Sequence, residues 1–298
     1  MKLHGIIPPL ATPFTRDEAI DETTLRHEVD RVIRTGVHGI TVTGSTGEGH
    51  TLTIDELVRA SAAAVEAADG RVPVITGIIR DSTRDVITCG QAVKTVGISA
   101  IQVTPVHYLF QPDEEGSIDF YRRIGNEVGL PIVIYNVVPW NTLSPEVVLR
   151  LSELPQVVAV KQSGGDIHKL ARLLTLASDR LTILTAVDDL LMPSFLLGAH
   201  GAVAAILTVL PELCCQLWDA CQSGQLERAR SLHERILTVW NALAAPDLPA
   251  RVKAALALLG HPVGGPRHPL RPVSPTVEEA IRHALVHTQL LPAQISGQ

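Results

Sequence analysis

Short apolar, β-branched runs recur along the chain, and most are followed by a stretch whose apolar positions have helical spacing. Eight runs have the length and composition of buried strands: residues 5–11, 38–43, 72–77, 100–104, 131–136, 157–161, 181–187 and 201–205. Helical spacing between them covers residues 22–35, 53–68, 82–96, 117–128, 145–153 and 167–177. Alternating strands and helices are typical of a parallel α/β protein, and eight strands close a barrel. We therefore predict an α/β fold, a (β/α)₈ TIM barrel.

Beyond the eighth predicted strand the pattern is mainly helical, through residues 225–243, 249–259 and 276–287. The segment HPVGGPRHPLRPVSP interrupts this pattern, because proline and glycine end helices. These helices exceed what the last barrel repeat requires. We therefore predict a barrel carrying the active site over residues 1–223 and a C-terminal helical extension over residues 224–298.

Two of the predicted helices begin at capping residues. Thr53 precedes Asp55 and Glu56, and Ser144 precedes a proline and a glutamate. A hydroxyl before first-turn acids or proline is the preferred start of a helix. We expect both residues to be N-caps.

Charge and cysteine content restrict the classes of function. The net charge is -6 and lysines and arginines form no cluster, which argues against binding to nucleic acid. The four cysteines form neither a zinc-type CxxC pair nor a disulfide framework, so a reduced cytoplasm is the simplest compartment. No apolar run reaches the ~18 residues of a membrane span, and the start MKLHGIIPPLATPF does not resemble a signal peptide. We expect a cytoplasmic protein that binds no membrane.

Polar chemistry is concentrated at the ends of three predicted strands, which converge at one mouth of a parallel barrel. The second strand ends in GSTGE, the fifth in YNVV and the sixth in KQSGG. Lys161 ends the otherwise apolar sixth strand. Desolvation there disfavours the charged ammonium and supplies the neutral amine that attack on a carbonyl requires. The alternative is a lysine that extends into solvent.

The other two strand ends suit recognition of a small anion. The amides of the loop beginning at Gly44 and the hydroxyls of Ser45 and Thr46 can converge on a carboxylate. The alternative is a tight loop before a helix cap. Tyr135 ends the fifth strand, where its phenol can relay protons or merely be a buried, hydrogen-bonded group.

These motifs together resemble the dihydrodipicolinate synthase and N-acetylneuraminate lyase family. The likeness spans most of the chain: ATPF, GSTGE, YNVVP, KQSGGD, and DD followed by GAHGAV. It implies that Lys161 forms a Schiff base with pyruvate or a related 2-keto acid and that Tyr135 relays protons. It also implies that Ser45 and Thr46 contact the keto acid carboxylate and join the relay, and that the backbone of Val203 lines the pocket.

Departures from the family pattern concern the second substrate. The family's synthases have an arginine shortly after YN that contacts the second carboxylate, whereas this chain reads YNVVPWN and offers the neutral Asn141. The loop PVHYLFQP replaces the usual PYYNKP, so Tyr108 or His107 takes the place of a tyrosine contributed by a neighbouring subunit. Val187 stands where glycine is common. We predict poor use of aspartate semialdehyde and better use of a hydroxylated aldehyde or a 2-keto-3-deoxy acid, unless Arg80 or Lys169 supplies the missing cation.

The resemblance implies a lyase or aldolase that needs neither a metal nor an organic cofactor and assembles as a homotetramer, a dimer of dimers. Alternatives are a genuine 4-hydroxy-tetrahydrodipicolinate synthase, a 2-keto-3-deoxy sugar acid aldolase or dehydratase, and a non-catalytic keto-acid-binding barrel. A phosphate-binding barrel enzyme is disfavoured because the last strand ends lack a glycine-rich phosphate loop. Asp188 and Asp189 are expected to orient loops at the barrel mouth rather than to bind a metal.

Overall fold

A computed structural model describes residues 3–163 and 166–292. The two glycines of KQSGGD, the first two residues of the predicted barrel and the last six of the predicted extension lie outside the described residues. The strands form one parallel sheet in the order β1-β8-β7-β6-β5-β4-β3-β2. They are β1 (Gly5–Ile6), β2 (Ile40–Val42), β3 (Val74–Ile78), β4 (Ala100–Val103), β5 (Ile132–Asn136), β6 (Val157–Gln162), β7 (Thr182–Thr185) and β8 (Gly201–Ala202).

Backbone hydrogen bonds join the two ends of this sheet. His38 N donates to Ile6 O at 2.8 Å, and Thr41 N donates to Pro8 O at 2.9 Å. Leu10 N donates to Thr41 O at 2.8 Å. The first and second strands are therefore neighbours, and the predicted (β/α)₈ barrel is confirmed.

Helices cover the outside of the barrel and form the C-terminal part of the chain. They are α1 (Glu22–Arg34), α2 (Ile54–Ala68), α3 (Thr83–Lys94), α4 (Glu114–Val128), α5 (Pro145–Leu151), α6 (Ile167–Ala177), α7 (Leu191–Leu196), α8 (Ile206–Val209), α9 (Pro211–Gln222), α10 (Leu226–Leu243), α11 (Leu248–Leu258) and α12 (Pro275–His287). Thr53 caps α2 through a capping box with Glu56, and Ser144 caps α5. Both predicted caps are confirmed. None of the helices within the described residues is long and apolar enough to span a membrane.

Apolar side chains are buried on both faces of the sheet. The barrel interior is filled by a small cluster: Leu3, Ile7, Ile75, Ala100, Val133, Ala159, Leu184 and Val203. A second, larger core lies between the sheet and the helices, and it includes Ile236 of α10, Val252 of α11 and Ile281 of α12. The C-terminal helices thus share the core that supports the barrel. The predicted boundary between residues 223 and 224 falls in the turn between α9 and α10 and stays a prediction.

Candidate active site

Lys161 and Tyr135 lie side by side at the carboxyl ends of β6 and β5. The two residues are direct partners in the parallel register of these strands, so their side chains leave the same face of the sheet. Lys161 is 5% exposed and Tyr135 is 1% exposed. The Lys161 Nζ atom is 4.3 Å from the centre of the Tyr135 ring. The lysine therefore does not extend into solvent, and the alternative considered for it from the sequence is wrong.

The Tyr135 hydroxyl connects this pair to the loop after β2. It donates a hydrogen bond to Ser45 Oγ at 3.0 Å and accepts one from Ser45 N at 3.1 Å. Burial raises the pKa of Tyr135, but the positive charge of Lys161 and the hydrogen bonds with Ser45 outweigh burial and bring the pKa below its ordinary value of 10.0. The phenol therefore gives up a proton more readily than an ordinary tyrosine.

Backbone geometry fixes the loop that contains Ser45. Thr43 has a φ of 57°, which is rare for a β-branched residue, and its Oγ1 donates to Gly77 O at 2.9 Å. Gly49 N donates to Gly44 O at 3.0 Å. A Cβ atom on Gly49 would lie 1.7 Å from Thr43 O, and one on Gly77 would lie 2.9 Å from Gly44 Cα. The two glycines therefore allow the loop to fold back tightly over β3.

A buried ion pair ties this loop to the C-terminal extension. The Nζ atom of Lys253 in α11 is 2.8 Å from Glu48 Oε1, and both side chains are 2% exposed. Lys253 Nζ also donates to Gly265 O at 2.8 Å, and Glu48 Oε2 accepts from Arg267 N at 2.8 Å. The Lys253 Nζ atom and the guanidinium of Arg267 both lie over the ring of Phe14, 4.2 Å and 4.4 Å from its centre. Burial lowers the pKa of Lys253, although Glu48 opposes this shift.

This ion pair and a second group of buried polar atoms were not predicted from the sequence. Gln102 in β4 is fully buried, and both of its amide atoms lack a partner among the residues that the structure describes. Its Nε2 would be 3.9 Å from a Cβ atom built on Gly44, and the Tyr135 hydroxyl would be 3.4 Å away. Unpaired amide groups beside a reactive pair are available to a polar ligand. Two features of the sequence could have indicated these groups: Gln102 is a glutamine within an apolar strand, and Lys253 is a lysine within an apolar helix.

A cavity of about 440 Å³ opens beside Ser45. Its polar lining consists of Ser45, Thr46, Thr104, His50 and His107. Its apolar lining comes from residues 137–140, Ile79, Leu248 and Pro249. The last two belong to α11, so the C-terminal extension contributes directly to the cavity. A volume of this size is typical of a site for a small molecule.

The predicted binding residues on the neighbouring loops occupy different positions. His107 lines the cavity, and its Nδ1 is 2.9 Å from Asp81 Oδ1. Tyr108 is 62% exposed and lies outside the cavity lining. The Asn141 side-chain amide donates to Val106 O. The structure therefore brings His107, but neither Tyr108 nor Asn141, into the cavity lining of this chain.

The loop after β8 is held by Asp188. Its Oδ1 accepts a hydrogen bond from Ile206 N at 2.7 Å, which agrees with the loop-orienting role expected for this residue. Asp188 is partly accessible, yet protein surrounds its carboxyl and burial raises its pKa to about 7. In the same region, Val203 places its side chain in the barrel interior and its N–H donates to Thr185 O at 2.9 Å.

Known proteins resemble this chain over nearly its whole length. Residues 2–288 match the model of the dihydrodipicolinate synthetase family. The 4-hydroxy-tetrahydrodipicolinate synthase of Methanopyrus kandleri is 36% identical over 296 residues, which cover 98% of each chain. An uncharacterized DapA-like lyase of Halobacterium salinarum is 35% identical over 292 residues, covering 97% of this chain and 95% of the relative.

Solved structures of dihydrodipicolinate synthases have the same fold as this chain. The dihydrodipicolinate synthase of Acinetobacter baumannii, solved with pyruvate, has a TM-score of 0.92 and 28% identity, covering 97% of this chain and 100% of that one. A monomeric dihydrodipicolinate synthase variant has the same TM-score and identity, covering 97% and 98%. The chain therefore belongs to the dihydrodipicolinate synthetase family of class I aldolase-type lyases.

Proposed function

We propose that Lys161 forms a Schiff base with pyruvate or a related 2-keto acid, and that the resulting enamine makes or breaks a carbon–carbon bond to an aldehyde. The main support is the position of Lys161, buried against Tyr135 with the Tyr135 hydroxyl joined to Ser45 beside the cavity. A lysine amine held out of water is a competent nucleophile toward a carbonyl carbon.

The proposed chemistry assigns a task to each group of the site. Lys161 first gives up its ammonium proton; its neutral amine then attacks the keto carbon, and loss of water gives a protonated imine that withdraws electrons from the adjacent methyl carbon. Loss of a proton from that carbon then gives the enamine. Tyr135 and Ser45 carry protons, while the amides and hydroxyls from Gly44 to Thr46 hold the carboxylate. The backbone of Val203 lines the keto-acid pocket.

Three residues from neighbouring loops complete the proposed site. His107 is the favoured candidate for extending the proton relay because it lines the cavity. Tyr108, with its exposed ring, is instead available to a neighbouring subunit. A substrate contact from Asn141 would use its side-chain oxygen, since its amide nitrogen is bonded to Val106 O.

We further propose that the protein acts in the cytoplasm as a homotetramer. Three consecutive large apolar residues near the cavity are strongly exposed in the single chain: Tyr108 at 62%, Leu109 at 76% and Phe110 at 81%. A contiguous apolar patch of this kind marks an interaction surface. A second copy of the chain would cover it in a symmetric contact.

Exchange of the pyruvate methyl protons tests the proposal without knowledge of the second substrate. In D₂O, reversible formation of the enamine replaces these protons with deuterium, and NMR records the loss of the methyl signal. We expect rapid exchange with the wild-type protein and none above background with Lys161→Met. Lys169→Met is the matched control, because this exposed lysine lies at the start of α6, and it should exchange normally.

The same measurement separates the proposal from its rivals. A wild-type protein that binds pyruvate but does not exchange its protons would be a keto-acid-binding barrel. Exchange that survives in Lys161→Met would place the nucleophile elsewhere.

A further inference from the structure

The wall of the cavity away from Ser45 is apolar. It is formed by Val137, Val138, Pro139 and Trp140 after β5, facing Leu248 and Pro249 of α11. Ser45 lies between this cavity and the Tyr135–Lys161 pair, neither of which lines it, so a second substrate that reacts at the keto acid would approach through this space. Apolar walls favour apolar ligands by roughly 0.8 kcal/mol per buried methylene, which corresponds to about fourfold in efficiency.

Charges near this wall do not favour a second carboxylate. No lysine or arginine lines the cavity within the described ranges 3–163 and 166–292. The guanidinium of Arg80 donates to Ile79 O at 2.8 Å and to Leu52 O at 2.6 Å. Lys169 Nζ lies 3.5 Å from Thr142 Oγ1. Neither cation considered from the sequence therefore belongs to the cavity lining, and both are bonded to other groups of the protein.

The two histidines of the cavity do not supply a strong cationic clamp either. Burial lowers the pKa of His50, and the nearby His107 and Arg80 act in the same direction, although Glu48 opposes them. Neutral imidazole hydrogen-bonds a carbonyl or hydroxyl oxygen. His107 faces the Asp81 carboxylate, whose Oδ1 is 2.9 Å from its ring and also accepts from His107 N. A second carboxylate placed here would meet a like charge.

Trp140 is held as a fixed surface at the cavity. Its Nε1 donates to His107 O at 2.9 Å, and its carbonyl accepts from the side-chain amide of Gln111. These bonds join the loops after β4 and β5 across the site. A side chain that is already fixed loses little conformational freedom when a ligand packs against it. Trp140 as a whole residue is 64% exposed, and it lines the cavity where such packing would occur.

We infer that the second substrate is an aldehyde with an apolar chain or ring, packed against Trp140 and Val138, rather than an aldehyde with a second carboxylate or the hydroxylated aldehyde expected from the sequence. This inference rests on the proposed Schiff base at Lys161. The enamine carbon attacks the aldehyde carbon to form the new bond, and the aldehyde oxygen takes a proton to become a hydroxyl. Water then hydrolyses the imine, which frees Lys161 and releases a 4-hydroxy-2-oxo acid with an apolar substituent. The reverse reaction breaks the same bond.

Two aldehydes of similar shape test this choice. 4-Methylpentanal and succinate semialdehyde have the same number and branching of non-hydrogen atoms and end in an isopropyl group and a carboxylate, respectively. With pyruvate fixed and the full chain as enzyme, we expect kcat/KM to be at least about tenfold higher for 4-methylpentanal. Equal efficiency, a preference for the charged aldehyde, or no turnover of either would overturn the inference.

A variant of the wall gives an independent test. Trp140→Ala should reduce the preference for 4-methylpentanal by about tenfold, because the ring supplies much of the contact area. Leu226→Ala is the control, since this residue at the start of α10 is 52% exposed and lies outside the cavity lining, and it should keep the preference. If Trp140→Ala changes the number of copies in solution but not the preference, the ring belongs to an interface and the inference fails.

Pyruvate proton exchange distinguishes failure of this inference from failure of the proposed function. Wild-type protein that exchanges the methyl protons but shows no apolar preference would overturn only the choice of aldehyde. Wild-type protein that does not exchange them would overturn both.

Discussion

The Tyr135 hydroxyl lies between Lys161 and Ser45, so removing it tests the proposed proton relay. Tyr135→Phe keeps the ring and removes only that hydroxyl. We expect pyruvate proton exchange to slow by about 10²- to 10⁴-fold, the usual contribution of a positioned proton carrier. Since the pKa of Tyr135 is lowered from 10.0, the wild-type rate should fall as the pH rises through that lowered pKa. The variant should lack this alkaline decline.

Tyr121 provides the control for this pH profile. It is also fully buried, its hydroxyl donates to Val103 O at 3.0 Å, and burial raises its pKa. Tyr121→Phe should retain the wild-type rate and alkaline decline. A Tyr135→Phe variant that matched it in both respects would exclude the phenol from the relay.

The two central residues of the site were predictable from the sequence, because the geometry of a parallel barrel determines where strand ends lie. Lys161 and Tyr135 end neighbouring strands of a parallel barrel, and such ends meet at one mouth. The choice between His107 and Tyr108 was not predictable, because it depends on hydrogen bonds from both backbone N–H groups to the distant Asp81. The same holds for Asn141, whose amide is bonded to another loop.

The ion pair between Glu48 and Lys253 joins the loop after β2 to α11, and we expect it to stabilise the folded chain. Lys253→Met should lower the free energy of unfolding by about 3–5 kcal/mol, because it leaves a buried carboxylate unpaired. The double variant Glu48→Gln, Lys253→Met should recover most of this loss, since neither buried charge remains. Urea unfolding followed by circular dichroism measures both effects.

An exposed ion pair supplies the comparison for these variants. Arg122 and Asp119 lie 3.0 Å apart with side chains 47% and 55% exposed, so Arg122→Met should change stability by no more than about 1 kcal/mol. The interpretation of the buried pair would be wrong if Lys253→Met were as mild as Arg122→Met. It would also be wrong if the double variant were no more stable than the single one.

Element boundaries were predictable where a local residue determines them. Helix α4 begins at Glu114 rather than at residue 117, because Asp113 accepts from Gly116 N at 2.8 Å and caps the helix earlier. Strand β1 covers only Gly5–Ile6 of the predicted residues 5–11, since the prolines that follow have no N–H for a ladder. The helix α7 was not predicted, because its six residues are too few for a helical period to show.

We predict that the chain assembles as a homotetramer. A dihydrodipicolinate synthase variant with a TM-score of 0.92 to this chain is monomeric, so a tetramer does not follow from the barrel alone. The exposed apolar patch near the cavity leads us to expect four copies by light scattering. Phe110→Glu, at the most exposed of its residues, should yield smaller species because it places a charge within the contact. A wild-type protein that is monomeric and fully active at micromolar concentration would contradict a shared site.

Chemical trapping of the imine is the most direct test of the central claim, that Lys161 is the Schiff-base nucleophile. Pyruvate and borohydride are added together, so that reduction converts the imine to a stable secondary amine, and peptide mass spectrometry locates the modified residue. We predict a single reduced pyruvate adduct on the peptide that contains Lys161 and none on the Lys161→Met variant. An adduct on a different lysine, or no adduct with any of several 2-keto acids, would contradict the account.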